Sequence, residues 1–161
     1  MRPLRSFLAL APAERLLLLK AAALLAAIQL GLGRMPFTLL RRLVTSGRRI
    51  DGRPADGAGA FADQVVWAVT AASRRVPGRS TCLSRALTVQ ALLARRGWPS
   101  RLQVGVVRGQ RSQLEGHAWV ECHGRVLIGG TAAEIRNFTR LAAFDVEPPL
   151  ELPTVGTPQG R

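Results

Sequence analysis

Hydrophobic positions recur with a helical period in the first part of the chain and alternate in the second. Residues 13–33 are apolar almost all round, and Pro12 suits the first turn of a helix that two later glycines end. Residues 37–46, opened by Pro36, predict a second helix. Because the first helix is apolar on every side, it must be covered by the rest of the domain or by a partner.

Two more helices are predicted before the strands begin. Apolar side chains recur at helical spacing over residues 61–76, where a Pro-Gly pair ends the pattern. Ser80 or Thr81 can cap the following helix, which carries Cys82 in its first turn. Helices followed by an antiparallel meander predict an α+β fold. The predicted strands are residues 101–107, 115–122 and 125–129.

Composition divides the chain into four parts. Residues 47–58 are rich in glycine and charged residues, which predicts a linker after an N-terminal helical extension over residues 1–46. Residues 59–145 form the predicted core, with the cysteine-bearing helix and the sheet. Residues 146–161 hold four prolines and little periodicity, so we expect a disordered tail.

The formal net charge of +13 comes almost entirely from arginine, since Lys20 is the only lysine among the 23 basic residues. A coding bias toward arginine can produce this balance, whereas a functional field would attract acidic peptides, nucleic acid or anionic lipid. The arginines are scattered in pairs and the chain has no tyrosine. Because nucleic-acid binding favours clustered cations and stacking aromatics, we expect no nucleic-acid partner.

Residues 16–32 are the one stretch with the composition of a membrane segment. Only 12 residues follow Lys20 before Gly33, fewer than the roughly 20 that cross a bilayer. No small-x-small cleavage pattern of a signal peptide follows, and two cysteines are too few for a disulfide framework. These features predict a cytoplasmic protein with free thiols, a buried or surface-docked first helix and no membrane role.

Cys82 and His117 are the residues best suited to nucleophilic chemistry. The first turn of a helix favours a thiolate through its free N–H groups and positive dipole end, and Arg85 lies on the same helical face. Imidazole is the usual base for such a thiol, and His117 lies within a predicted strand. The alternatives are a small buried hydrophobic role for Cys82 and a structural, solvent-facing role for His117.

A metal site is not expected. Alternation places His117, Trp119 and His123 on one face of their strand and Cys122 on the other. A site that joined them to Cys82 would need ligands from both faces, so Cys122 is predicted to be a core or structural residue. No Walker or G-x-G-x-x-G pattern occurs, and we expect no cofactor.

Two runs of the sequence resemble one known family. VPGRSTCLSRALTVQALLARRGWPSRLQVGVV and the later GHAWVECHGRVLIGG resemble the transglutaminase-like leader peptidases of lasso peptide biosynthesis, also described as the microcin-processing family. The shared features are a cysteine at a helix start, an R-A-L soon after it, and G-H-A-W-V-E on a strand. The resemblance covers about residues 10–145 and implies a papain/transglutaminase-like core, with a cysteine-bearing helix packed on a small antiparallel sheet.

By position, the resemblance implies that Cys82 is the nucleophile of a thiol peptidase and His117 its general base and acid. Members of the family often carry an aspartate about a dozen residues after the histidine, to orient the imidazole. Gly129 stands at that position here, so the third member of the triad is open. The substitutes that the chain offers are Glu121, Glu134, Asp145 and Asn137.

The resemblance also implies partners. A leader peptidase cleaves a precursor peptide at the leader–core junction, and a separate ATP-dependent macrolactam synthetase closes the freed core into a ring. Fused members carry an N-terminal, strand-rich recognition domain, whereas residues 1–57 here read as helical and short. A separate leader-recognition protein is therefore expected. Two alternatives use the same residues: a catalytically impaired scaffold of the same complex, and a transglutaminase-like acyltransferase.

Overall fold

A computed structural model describes residues 10–46, 58–77, 81–109 and 113–146 of the 161-residue chain. In this part of the chain, four helices precede three strands, a short helix and a last strand. The helices are α1 (Pro12–Leu32), α2 (Phe37–Thr45), α3 (Ala58–Ser73), α4 (Cys82–Ala94) and α5 (Ala132–Ile135). The strands are β1 (Ser100–Arg108), β2 (Leu114–Cys122), β3 (Arg125–Ile128) and β4 (Thr139–Val146).

Local signals in the sequence set where the helices begin. Pro12 is the first residue of α1, and the Glu14 carboxylate accepts a hydrogen bond of 2.9 Å from the main-chain N–H of Ala11. Thr81 caps α4, since its hydroxyl oxygen accepts from the Ser84 N–H at 3.2 Å. These bonds satisfy N–H groups that a helix start leaves free. The four longer helices and the first three strands confirm the sequence prediction.

The strands form one antiparallel sheet in the order β3-β2-β1-β4. β1, β2 and β3 are the predicted meander. β4, which the sequence pattern did not predict, returns to the other edge of β1 and pairs along it, with Phe144 opposite Leu102. The α+β class is confirmed, with a sheet one strand wider than predicted.

The four longer helices share an apolar core with the sheet, and α4 packs against both the other helices and strands β1, β2 and β3. Leu87 and Leu93 of α4 are fully buried and share the core with Leu102 of β1. Gln90 donates a hydrogen bond of 2.7 Å to the main-chain carbonyl of Phe144, which ties α4 to β4. This packing fixes the start of α4, where Cys82 lies, relative to the strands.

α1 contributes one face to the core and leaves another exposed. Leu25 and Ile28 are fully buried, whereas Leu19 and Leu30 are 57% and 59% exposed. Among the described residues, α1 is the one helix long and apolar enough to cross a membrane, a test that core helices and signal sequences also pass. The number of residues alone does not exclude a membrane span, because α1 continues past Lys20 and is 21 residues long in all. The cytoplasmic location stays a prediction.

The predicted linker and tail lie almost wholly outside the described residues. Ala58, assigned to the linker over residues 47–58, begins α3. Val146, assigned to the tail over residues 146–161, is the last residue of β4. The boundaries of the four parts stay predictions.

Candidate functional site

Cys82 is the first residue of α4 and a half-buried free thiol. Thr81 holds this first turn through its bond to the Ser84 N–H. The first N–H groups of a helix have no acceptor within the helix, so the main-chain N–H of Cys82 is not used by α4 itself. The thiol therefore lies at the positive end of the helix dipole.

His117 lies on β2 at a level that β3 does not reach. It is opposite Gly105 of β1, whereas β3 pairs with β2 only from Val120 onward. Its Nε2 lies 2.5 Å from the main-chain carbonyl oxygen of Gly129, the first residue after β3. Because a carbonyl oxygen only accepts, Nε2 carries the proton, and Nδ1 keeps a free lone pair in the neutral ring.

Gly129 holds this carbonyl in a backbone conformation that disfavours residues other than glycine. Its φ is +105°, and a Cβ at this position would lie 2.5 Å from the Trp119 Cβ and 2.8 Å from the Ala118 carbonyl oxygen. A side chain at position 129 is therefore incompatible with this backbone conformation. Where the leader peptidases that the sequence resembles often have an aspartate side chain, this chain has a main-chain acceptor.

Two aromatic rings lie against the imidazole of His117. The Phe138 ring stacks on it with centroids 5.1 Å apart, and the Trp119 ring lies at 6.3 Å. Trp119 is fully buried, and its Nε1 donates to Glu121 at 2.8 Å. The predicted shared face of His117 and Trp119 is confirmed by this ring contact.

Cys82 and His117 line the same cavity, whose volume is about 420 Å³. The cavity opens between the start of α4 and the segment that runs from the end of β3 through α5. The described part of its lining combines a thiol, an imidazole, one cation and one carboxylate with apolar side chains. Its lining residues are Cys82, Arg85, His117, Ile128, Gly129, Gly130, Glu134 and Phe138.

Among the described residues that line this cavity, Glu134 is the one acidic residue. Its carboxylate accepts the Thr131 main-chain N–H at 2.6 Å. Hydrogen bonds from the main chain and hydroxyl of Thr131 lower the pKa of Glu134, and the charge of His117 lowers it further. Among the described residues, the hydrogen-bond partner of the His117 ring is the Gly129 carbonyl rather than the Glu134 carboxylate.

The other three substitutes for the aspartate lie elsewhere. Glu121 pairs with Arg140 at 3.1 Å, and Asp145 pairs with Arg101 at 2.6 Å. Both acids line a second cavity, where β1 begins and β2 ends. Asn137 is exposed and is not in the lining of the first cavity.

Cys122 and His123 also line the second cavity, away from Cys82 and His117. Cys122 is a core residue, as predicted: its thiol donates to the Pro99 carbonyl at 3.0 Å, and burial raises its pKa. His123 does not continue the face of His117, because β2 ends first and His123 lies in a turn with φ of 48°. Within the described ranges, no group of three or more His, Cys, Asp or Glu is placed to hold a metal ion.

The sequence did not indicate the Gly129 carbonyl or Phe138 as parts of the site. A signal for the first exists, because two consecutive glycines directly after a strand mark an unusual backbone path. Phe138 offered no comparable signal, since it follows α5, a four-residue helix that the pattern did not predict. The sequence indicated Cys82, Arg85 and His117, because a thiol, a guanidinium and an imidazole are reactive or charged groups that belong to side chains.

The fold and the cavity together define the class of the protein. It is an α+β domain in which a free cysteine at a helix start shares a cavity with a histidine on an antiparallel sheet. A family model described as Transglutaminase-like superfamily matches residues 22–143. This span is well over half of the chain, and the chain belongs to the transglutaminase-like superfamily. No curated protein and no solved structure matched it.

Membership of this superfamily indicates the kind of activity. Its members are generally cysteine peptidases or transglutaminases, so the chain is assigned a cysteine protease or acyltransferase type of activity. The matched region begins within α1 and ends within β4, so every residue that lines the first cavity lies inside it. The match does not distinguish the lasso peptide leader peptidases from other members.

Proposed function

We propose that the protein is a cysteine peptidase that removes the leader peptide from a lasso peptide precursor. Cys82 is the nucleophile and His117 the general base and acid. The observation that carries the proposal is their shared cavity, in which the Gly129 carbonyl orients the imidazole. The sequence runs around both residues support the substrate class, and the superfamily supports the reaction type.

The proposed reaction uses groups of the first cavity. Nδ1 of His117 takes the Cys82 proton, and the thiolate attacks the carbonyl carbon at the leader–core junction. The main-chain N–H of Cys82 donates to the developing oxyanion. The imidazolium then gives its proton to the leaving amine, which frees the core peptide. Water hydrolyses the remaining thioester, and the leader departs as a carboxylic acid.

A catalytically impaired scaffold is the second candidate, and the glycine at position 129 is the observation that favours it. A carbonyl orients the imidazole, but as a neutral dipole it stabilises the imidazolium less than a carboxylate does. Glu134 supplies a negative charge in the same cavity. We therefore favour an active peptidase, slower than one whose histidine is held by a carboxylate.

The proposed function includes three partners: the precursor peptide, a separate leader-recognition protein and an ATP-dependent macrolactam synthetase. The resemblance of the two sequence runs to the leader peptidases supports these partners. We propose a cytoplasmic location, and neither nucleic acid nor a membrane among the partners.

Cleavage of the precursor by matched variants tests this proposal. The reagents are the precursor and the small recognition protein that neighbouring reading frames are expected to encode. We expect the wild-type chain to release leader and core in a mass-spectrometric assay, and Cys82→Ala and His117→Ala to release neither. The chain holds one other cysteine and one other histidine, so Cys122→Ser and His123→Ala are controls that should retain cleavage. Cleavage by Cys82→Ala would refute the proposal.

The same assay separates the alternatives. Water and an amine compete for one acyl-enzyme, so an acyltransferase given methylamine would yield the leader as a methylamide. A leader peptidase yields the free acid in the same mixture. A wild-type chain that binds the precursor and leaves it intact would favour the scaffold.

A further inference from the structure

Arg85 brings into the first cavity a cation to which no described residue supplies an ion-pair partner. It follows Cys82 by three residues on α4 and lines the same space. Its Nε is buried, and no residue in the described part of the chain accepts a hydrogen bond from it. A buried N–H donor without an acceptor costs free energy, and a guanidinium keeps its charge at any physiological pH. An oxygen acceptor from a bound ligand would supply the partner that the described residues do not give to Arg85.

The carboxylate of Glu134, which lines the same cavity, does not form an ion pair with Arg85. It is bound to the Thr131 N–H at 2.6 Å, at the start of α5. The ion pairs found among the described residues join other side chains, namely Arg101 with Asp145, Arg125 with Asp63 and Arg140 with Glu121. The cavity thus presents a cation on the side of α4 and an anion on the side of α5.

We propose that Arg85 forms a carboxylate-binding subsite beside Cys82, which takes an acidic group on the acyl half of the peptide substrate. A guanidinium can bind a carboxylate through two parallel N–H groups, here those of its two terminal nitrogens. Arg85 belongs to the helix that carries the nucleophile. Glu134 lies on the other side of the cavity, five residues after Gly129, whose carbonyl binds the histidine that protonates the leaving amine. The net charge of +13 attracts acidic peptides to the chain. The subsite rests on the proposed function, because it takes Cys82 as the nucleophile.

Two alkylating reagents of similar size test the subsite without the precursor. Iodoacetate carries a carboxylate where iodoacetamide carries an amide, and both alkylate a thiolate with loss of iodide. The rate ratio is the rate of alkylation by iodoacetate divided by the rate of alkylation by iodoacetamide, and peptide mass mapping measures both rates at Cys82. We expect this ratio to exceed the ratio for N-acetylcysteine by roughly fivefold. Arg85→Gln should lower the ratio to that of the free thiol, and Arg85→Lys should retain part of the effect.

A matched variant and a competitor complete the test. Arg95→Gln removes an exposed cation at the other end of α4 and should leave the ratio unchanged, which separates a local subsite from the overall field. In the wild-type chain, acetate should slow alkylation by iodoacetate and acetamide should not, a result that depends on no variant. Equal ratios for the wild type and Arg85→Gln, without protection by acetate, would overturn the subsite.

Failure of the subsite and failure of the proposed function give different results. If Cys82 is not activated, iodoacetamide reacts with it no faster than with a free thiol, yet the ratio can still be measured and still reports on Arg85. If Cys82 is activated and the subsite is absent, iodoacetamide reacts fast and the ratio equals that of N-acetylcysteine.

Discussion

At the scale of single residues, the main chain holds the imidazole of His117. The Gly129 carbonyl lies 2.5 Å from Nε2, and Phe138 stacks on the ring with centroids 5.1 Å apart. The same bond leaves Nδ1 as the acceptor for a proton from a thiol. The sequence shows only a glycine at position 129. It did not indicate this partner of His117, because the atom that orients the imidazole is a main-chain oxygen and not part of a side chain.

Substitution of Gly129 should therefore be costly. Gly129→Ala adds a Cβ at φ of +105° that would lie 2.5 Å from the Trp119 Cβ. We expect a loss of about 2–5 kcal/mol in the free energy of unfolding, from backbone strain and overpacking together. Gly124→Ala is the control, because φ there is +75° and nothing lies within 4 Å, so strain alone should cost about 1–2 kcal/mol. Equal costs in urea denaturation would show that position 129 is not tightly packed.

At the scale of elements, the site is built by the start of α4 and by the segment that runs from the end of β3 through α5. The sequence predicted α4 better than the elements that follow β3. α4 has its signals within a few residues: a threonine cap, an apolar run and a closing glycine. β4 has only the short alternation of Ala142, Phe144 and Val146, which are half-buried. Its partner, β1, lies far earlier in the chain. A local pattern does not show that pairing, so β4 and the preceding α5 were missed.

The cap of α4 gives a prediction at this scale. Thr81→Ala removes the oxygen that accepts the Ser84 N–H at 3.2 Å, so we expect a loss of about 1 kcal/mol in the free energy of unfolding. Amide exchange of Ser84 should accelerate, because its N–H loses an acceptor. Thr81→Ser, which keeps a hydroxyl, should stay close to the wild type in both measurements. Unchanged exchange in Thr81→Ala would mean that the threonine does not hold the first turn.

At the scale of the whole molecule, α1 is part of the folded core rather than an appendage to it. Its buried face packs with α3 and α4, and the superfamily match begins within it. The sequence predicted a covered helix, because a helix that is apolar all round needs a partner. Composition could not tell which side would be covered, since leucines lie on both the buried and the exposed faces.

Two leucines of α1 test this placement. Leu25 is fully buried and Leu19 is 57% exposed. Leu25→Ala should lower the free energy of unfolding by about 2–5 kcal/mol, because it leaves a cavity in the core. Leu19→Ala should change it by less than about 0.5 kcal/mol, as exposed substitutions usually do. Similar, small effects of both substitutions in urea denaturation would place α1 outside the cooperative core.

The pairing of Cys82 with His117 is the central claim, and the rate of alkylation at pH 6 tests it most directly. At this pH, only about 0.3% of an ordinary thiol is ionised, so a thiol activated by an imidazole stands out. We expect iodoacetamide to modify Cys82 at least about tenfold faster than N-acetylcysteine, with His117→Ala close to the free thiol and His123→Ala unchanged. A Cys82 that reacts no faster than N-acetylcysteine, or equally fast without His117, would contradict the pairing.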